Sequence, residues 1–539
     1  YVYASTGRGF VKFATIQGFA NNNWDYTEEP RGVHHALNLA RPHVEGSRIL
    51  IYFSDNIVTY ELEKDVRHWN DSSEPPGCLL LGRTVPDPER FGVAIFDDNG
   101  GITDIIEKPI NPPSAVAIGG IYLYDENGTE YIDGPGGMWC NNIGHGNKEI
   151  GEAVKKQLEK IEYCSPFSES TEISAELASV LADLSPGDLN TVFFTTDGST
   201  ANDTALRFVM FYNNILGRPN KKHIITRDKA YHGSTYLTGS ITGKDREKNN
   251  FDFEKNFIHH LSAPLPYRRK KYQSIKDFCD ELVSEFENKI IELGPENVAA
   301  FIAEPIMASG GCIVPPDGYI KKIWQVCKKY DVLYISDEVV TGFGRLGHFF
   351  SSEKVFGIIP DIITCAKGLT SGYMPLGAVI FSDKLLSDIK NESALFFHGY
   401  TYSGHPACCA AALKNIEIIK RDKILKHVQD TETYFHEKLN NLYNLPIVGD
   451  VRGRGLMAGI ECVIDKESKE ALVLDKAMAS RIDEESIKLG LIIRPIYHVC
   501  VLSPALIITK EQIDNLVDKL SQAITNATKK LKDEGLWLG

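Results

Sequence analysis

Two charged side chains stand where charge is costly to place. Ile335-Ser336-Asp337-Glu338-Val339 ends an apolar run on a carboxylate, and Thr364-Cys365-Ala366-Lys367-Gly368 sets a lysine after another short apolar run. Lysine is rarely buried unless something uses it. Desolvation lowers its pKa and leaves a free amine able to attack a carbonyl. A carboxylate beside it can do the complementary job of holding a proton on a ring nitrogen of the same ligand. Taken alone, Asp337 and Lys367 read first as an ion pair or as two unrelated surface charges.

They are not alone. Thr195-Thr196-Asp197-Gly198-Ser199-Thr200-Ala201-Asn202 follows the apolar Val192-Phe193-Phe194 and opens a helical pattern running through Phe208. Glycine and small hydroxyl residues there let backbone N–H groups and the helix dipole hold a phosphate. Ala230-Tyr231-His232-Gly233-Ser234 places an aromatic ring before a flexible turn, a platform for stacking. Thr401-Tyr402-Ser403-Gly404-His405-Pro406 is a hydroxyl-rich turn leading into a helix. Each motif by itself also reads as capping or packing; their order and spacing together do not.

The elements that must hold these residues follow from the hydrophobic pattern. From about residue 170, short buried-type strands (Val192 to Phe194, Val298 to Ile302, Val332 to Ile335, Ile362-Ile363) alternate with amphipathic helices such as Ile320 to Tyr330 and Glu511 to Thr528. That alternation predicts a mostly parallel sheet, whose strand carboxyl ends gather ligands. The segments Val448 to Ile464 and Leu489 to Leu506 are glycine-punctuated and predict a smaller α+β domain. Residues 1–117 differ in texture. Runs such as Ile49 to Phe53 and Gly92 to Phe96 are strand-like, the second closed by the turn signal Asp97 to Gly101, and Pro109, Pro112 and Pro113 mark a loop.

Composition narrows the partners. The chain has 539 residues, 43% apolar and 24% charged, with 58 basic and 72 acidic side chains and a net charge of −14. That balance repels phosphate backbones and anionic lipid, so neither nucleic acid nor a membrane surface is an expected partner. No apolar run approaches the roughly 18 residues of a membrane span, and no secretion signal opens the chain. Eleven cysteines lack zinc-ligand spacing; they read as reduced, mostly buried thiols of a cytoplasmic protein, with no metal site.

From about Ile118 to Leu531 the sequence resembles a class III aminotransferase, a pyridoxal 5′-phosphate (PLP) enzyme of fold type I, in its ω-amino acid:pyruvate or amine:pyruvate branch. The resemblance rests on Tyr131-Ile132-Asp133-Gly134, Gly137-Met138-Trp139-Cys140, Ala303-Glu304-Pro305, Asp337-Glu338-Val339 with Gly342-Phe343-Gly344-Arg345, Ala366-Lys367-Gly368-Leu369 and Ser403-Gly404-His405-Pro406. It implies a large domain over 176–430 with a mostly parallel seven-stranded sheet, and a small domain built from 118–175 and 431–539. It implies that Lys367 forms the internal aldimine and shuttles the proton, and that Asp337 holds the pyridinium nitrogen. Tyr231 would stack on one ring face and Val339 pack on the other. Gly198 and Ser199 would bind the phosphate, with Thr401 reaching it from the other subunit of a homodimer. Trp139 and Phe167 match positions lining the substrate pocket, and Arg494 matches a mobile arginine that pairs with a substrate carboxylate and swings away for an amine. The implied reaction moves an amino group from a primary amine or ω-amino acid to a keto acid such as pyruvate. Two readings stand beside it: an aminomutase or racemase on the same scaffold, and a catalytically impaired protein binding PLP or a nucleotide sugar.

The sequence departs from the family pattern in two places. Asp197 and Thr200 stand where the phosphate loop usually has Ser and Glu; Asp197 is a good helix cap, but a carboxylate beside a phosphate costs electrostatic energy. The pocket-closing segment of the family has no counterpart before Ile118. Instead, residues 1 to about 125 resemble part of a sugar-phosphate nucleotidyltransferase, on Pro30-Arg31-Gly32-Val33, Ser54-Asp55-Asn56-Ile57, Asp87 to Phe96 and Ile106-Glu107-Lys108-Pro109. That resemblance implies a metal-binding role for Asp55 and a sugar-phosphate contact for Glu107-Lys108. Without the opening Gly-rich loop to stabilise phosphate charge, nucleotidyl transfer is not expected.

Overall fold

The strand at Val298–Ala303 contains no charged residue and all six of its residues are buried, which suits a central strand covered on both faces. In the computed structural model it lies third in a seven-stranded sheet. The structure describes residues 131–244, 248–392, 394–469 and 478–537 in full and, before residue 131, only the backbone of seven short strands. The chain divides into two compact units, Tyr1–Glu130 and Tyr131–Gly539.

In the second unit the sheet strands are β1 (Leu189–Thr195), β2 (His223–Arg227), β3 (Ile258–Leu261), β4 (Val298–Ala303), β5 (Leu333–Asp337), β6 (Ile362–Cys365) and β7 (Gly377–Ser382), in the order β3-β2-β4-β5-β6-β7-β1. Only β7 runs against its neighbours, pairing Ile362 with Phe381 on one side and Gly377 with Thr195 on the other. The sheet is therefore mostly parallel and mixed by one strand. Helices α1 (Gly198–Ile215), α2 (Ile275–Leu293) and α3 (Tyr319–Lys329) flank it. One apolar layer joins α1 to the sheet through Ala205, Leu206, Val209, Ile302 and Ile335; the opposite layer joins α2 and α3 through Phe286, Phe301, Ile323 and Tyr334.

A second, antiparallel sheet has β8 (Val448–Arg454), β9 (Met457–Cys462), β10 (Arg494–Ile496) and β11 (Val499–Leu502), in the order β8-β9-β11-β10. Helices α4 (Ile424–Asn440), α5 (Met478–Lys488) and α6 (Lys510–Asp533) bury Val428, Phe435, Ile482, Leu516 and Leu520 in one cluster with Ile460 and Leu502 of this sheet. A parallel pairing of Ile132–Asp133 with Leu491–Ile492 ties the stretch after Tyr131 to this domain, placing Trp139 near the domain junction. The ten described cysteines are free, eight of them buried.

In the first unit, Val2–Thr6 pairs antiparallel with Gly9–Lys12 and with Arg48–Ile51. Gly92–Phe96 pairs antiparallel with Ile102–Glu107 and with Val116–Ile118, which also pairs with Arg83–Thr84. Ile49 to Ile51 and Gly92 to Phe96 thus fall on strands, whereas Tyr52, Phe53, Asp55, Lys108, the turn at 97–101 and the three prolines lie outside the described residues.

Candidate active site

Strand carboxyl ends assemble the site. Asp337 is the last residue of β5, Lys367 follows β6 by two residues, Glu304 follows β4 directly, Tyr231 comes four residues after β2, and the turn after β1 opens α1 at Gly198. They meet around a cavity of about 650 Å³ lined by Trp139, Gly198, Ser199, Tyr231, Asp337, Val339, Lys367 and Arg494.

Asp337, only 4% exposed, is held at both oxygens. Asn202 Nδ2 donates to its Oδ2 at 2.7 Å, and His232 Nδ1 approaches the same oxygen at 2.7 Å. A carboxylate only accepts, so that ring nitrogen is the donor. Val339 N donates to Oδ1 at 3.1 Å, leaving Oδ1 with spare accepting capacity. Asn202 is itself fixed, donating to His232 O at 2.8 Å and accepting from Thr364 Oγ1 at 2.7 Å. The carboxylate is thus aimed by a buried network, in which His232 Nε2 is left without a partner.

Lys367 has left-handed backbone, φ 45°, a conformation that costs a non-glycine residue energy and needs its surroundings to enforce it. Burial pulls its ammonium below the ordinary lysine pKa, opposed by the charges of Asp337 and Glu304. Glu304 accepts from Tyr231 N at 3.0 Å and Ala308 N at 3.1 Å, so it pins the backbone of the aromatic platform; burial raises its pKa above the usual carboxylate value.

At the start of α1, Asp197 and Thr200 form a reciprocal capping box, so the unusual Asp197 serves as the helix cap. Ser199 Oγ accepts from Ser234 N at 3.3 Å. Gly233 has φ 138°, and a Cβ there would lie 2.6 Å from Thr238 Oγ1 and 2.7 Å from Ser199 Oγ; a Cβ on Gly198 would lie 2.9 Å from Val339 Cγ1. The cradle therefore requires glycine at both positions.

Trp139, with φ 57° and 5% exposure, presents its ring to two cations: Lys367 Nζ and Arg494 Cζ each lie 5.7 Å from its centroid. Its indole Nε1 and Arg494 Nε are buried without a hydrogen-bond partner.

Two expected site residues lie elsewhere. Phe167 is 59% exposed and does not line the cavity of its own chain. A Cβ on Gly399 would touch its ring at 3.0 Å, so it lies against the stretch that carries Thr401. Thr401 is exposed, and its carbonyl accepts from Tyr163 OH at 3.0 Å. The loop before the α-helix Glu172–Leu184 carries the Phe167 ring to the Thr401 surface, outside the cavity of its own chain. Asn202, His232, Glu304 and Thr364 are the functional neighbours that pattern reading left without roles. All four lie inside the quoted motifs, and their place at or just after a strand end, or in the first turns of α1, was the available signal.

Comparison with known proteins matches residues 114–524 to the family described as Aminotransferase class-III, and residues 12–168 to Nucleotidyl transferase. The chain is 40% identical to a putrescine–pyruvate aminotransferase of Pseudomonas aeruginosa, over 74% of this chain and 87% of the relative. It is 38% identical to γ-aminobutyrate transaminase 3 of Solanum lycopersicum, over 77% and 81% respectively. Among solved structures, an (S)-enantioselective ω-transaminase from Thermomicrobium roseum superposes with a TM-score of 0.73 at 37% identity, covering 76% of this chain and 91% of that one. The ω-transaminase of Pseudomonas jessenii in complex with PMP gives 0.74 at 36% identity, over 76% and 92%.

Proposed function

The chain belongs to the class III aminotransferases, and we propose that the residues gathered at its strand ends carry out PLP-dependent transfer of an amino group from a primary amine or ω-amino acid to a keto acid such as pyruvate. The observation that carries the assignment of roles is the convergence of Lys367, Asp337, Tyr231 and the Gly198–Ser199 turn on one cavity.

The donor set fits the cofactor. Oδ1 of Asp337, which accepts only from Val339 N, has room to accept from a protonated ring nitrogen, whereas Oδ2 is already occupied by Asn202 and His232. The N-terminus of α1, with Gly198, Ser199 and the crowded Gly233, suits a phosphate. When bound, PLP supplies a ring that takes up the electron pair left on carbon as a C–H bond beside nitrogen breaks. Lys367, its ammonium destabilised by burial, provides the amine that holds the cofactor and then takes and returns the proton at Nζ. Tyr231 and Val339, which line the cavity, would hold the ring between them. Arg494 meets the carboxylate of pyruvate or of an ω-amino acid, for which a planar guanidinium is well shaped.

We place Thr401 and Phe167 in the site of a second copy. Both are exposed on one surface of the chain, which also exposes Tyr402 at 62% and Phe397 at 83%, and a homodimer would cover them. Putrescine and γ-aminobutyrate, named for two relatives, are short linear chains with a terminal amine, and that is the donor class we favour. No helix among the described residues is long and apolar enough to cross a membrane; with buried, free thiols we assign the chain to the cytoplasm. The test is an absorbance spectrum of the protein with PLP. The bound-cofactor band should form, bleach with amine and return with pyruvate, and Lys367→Ala should do none of this; a wild type that never forms the band overturns the reading.

A further inference from the structure

Helix α5 carries a carboxyl group that the reaction outlined above does not use. Asp483 accepts a hydrogen bond from the backbone N–H of Ile493, the residue immediately before Arg494. Its Oδ1 is buried with no hydrogen-bond partner, and so is Nε of Arg494. An acceptor and a donor, each buried and each unpaired, thus stand on packed neighbouring elements joined through one peptide unit. Buried polar groups are seldom left unpaired without a reason. In this structure the guanidinium rests over the Trp139 ring instead.

We propose that Asp483 is a positioning residue for Arg494: it draws the guanidinium back when no substrate carboxylate is present, and so sets how strongly the enzyme prefers partners that carry a carboxylate. The proposal rests on the reading of Arg494 as the carboxylate-binding group. A long, flexible arginine can exchange one anion for another with little backbone movement, and a carboxylate of the protein competes with a carboxylate of the substrate in the same charge-assisted geometry. The charged groups that act on Asp483 are Glu484 on its own helix and Arg494 on the strand beneath, and Asp483 in turn helps raise the neighbouring Cys500 thiol. Burial raises the Asp483 carboxyl to about 6, against the pull of Ile493 N–H and Arg494. Asp483 is therefore neutral below that pH and charged above it, so its hold on Arg494 strengthens as pH rises.

The experiment compares kcat/KM for pyruvate with kcat/KM for a carboxylate-free aldehyde acceptor, using one amine donor and holoenzyme, from pH 5.5 to 8.5. Taking the ratio cancels titrations common to both reactions. In the wild type the pyruvate-to-aldehyde ratio should fall as pH rises through about 6. Asp483→Asn keeps an acceptor for Ile493 N–H but has no charge, and Asp483→Ser is a smaller uncharged variant in case the first folds poorly. Both should raise the ratio about three- to tenfold above pH 7, the scale of one partly exposed ion pair, and flatten its step near 6. If Asp483 only anchors the strand, Asn will leave ratio and pH profile unchanged, and the proposal is overturned. Arg494→Ala, run in parallel, separates the two ideas. Collapse of the ratio in Arg494→Ala with no change in Asp483→Asn overturns the Asp483 role alone. No change in Arg494→Ala overturns the carboxylate reading and, with it, this proposal. A double variant behaving like Arg494→Ala supports the coupling.

Discussion

Replacing Asp337 by Asn leaves the side chain's heavy-atom count unchanged, yet the hydrogen-bond network dictates which way the amide must face. Asn202 Nδ2 and His232 Nδ1 both point at Oδ2, so the amide oxygen goes there and keeps two bonds; the flipped amide would lose both. The NH2 group then occupies the Oδ1 position, where Val339 N–H already donates at 3.1 Å. Two donors now meet. Leaving the buried Val339 N–H unpaired costs about 1–3 kcal/mol in the fold. The cofactor loses more directly, because the position that should accept from a ring N–H now presents a donor without charge. A hydrogen bond to a charged group is worth about 1.5–3 kcal/mol, which is about 10- to 150-fold in cofactor affinity. The half-reaction with amine should fall further than affinity does, since a ring without its proton is a poorer electron sink. A PLP titration followed by absorbance gives the first quantity, and single-turnover bleaching by amine gives the second. If Asp337→Asn keeps both within about threefold of wild type while the protein remains folded, Asp337 does not meet the ring nitrogen, and the assembly built around it is misread.

Other outcomes follow from the same geometry. Because burial lowers the Lys367 pKa, the free-amine form is present at lower pH than for an ordinary lysine, so the rate of cofactor capture should level off below the usual value of about 10.4; a midpoint at or above that value would contradict the burial argument. Gly233→Ala should weaken PLP binding by about tenfold or more, since its Cβ collides with Thr238 and Ser199. Gly217→Ala, at φ 72° with nothing within 4 Å, is the control and should leave PLP binding unchanged. If Thr401 serves the second subunit's cofactor, mixing Lys367→Ala with Thr401→Ala chains should produce hybrids with one complete site, seen as recovered tight PLP binding and turnover; no recovery after verified exchange would assign Thr401 to its own chain.

Four strands of the sheet were legible because they hold short apolar runs with nothing else to become, whereas His223–Arg227 and Ile258–Leu261 are broken by polar residues and gave no such run. Val298 to Ala303 has no polar face, so it can only be covered on both sides. Asp337 and Lys367 were legible for the related reason that each interrupts such a run at its end, where a parallel sheet leaves a crevice. The reversal of β7 was not legible: Gly377–Ser382 is as apolar as its neighbours, and strand direction depends on where the connections lie. Phe167 shows a different limit. The family resemblance implies that its ring lines the pocket, but one chain folds it onto the Thr401 surface, and no local pattern tells which subunit's cavity a residue will face.

Asp483 marks the furthest reach of this difference between pattern and contact. In the sequence it is one acid among several on a polar helix, Met478–Lys488, with Glu484 and Glu485 beside it. Nothing in its spacing separates it from those two. Packing does: Glu485 is neutralised by Lys488 and Lys530 at 2.7 and 2.6 Å, Glu484 is exposed, and Asp483 alone of the three turns an unpaired oxygen inward beside the strand of Arg494. A buried carboxylate oxygen with no partner is held at a cost, and that cost falls whenever the guanidinium turns toward it. A substrate carboxylate must compete with that attraction, whereas an amine or aldehyde need not. The selectivity of the cleft would then depend on a residue that touches neither substrate nor cofactor, and neutralising Asp483 is the substitution that should reveal it.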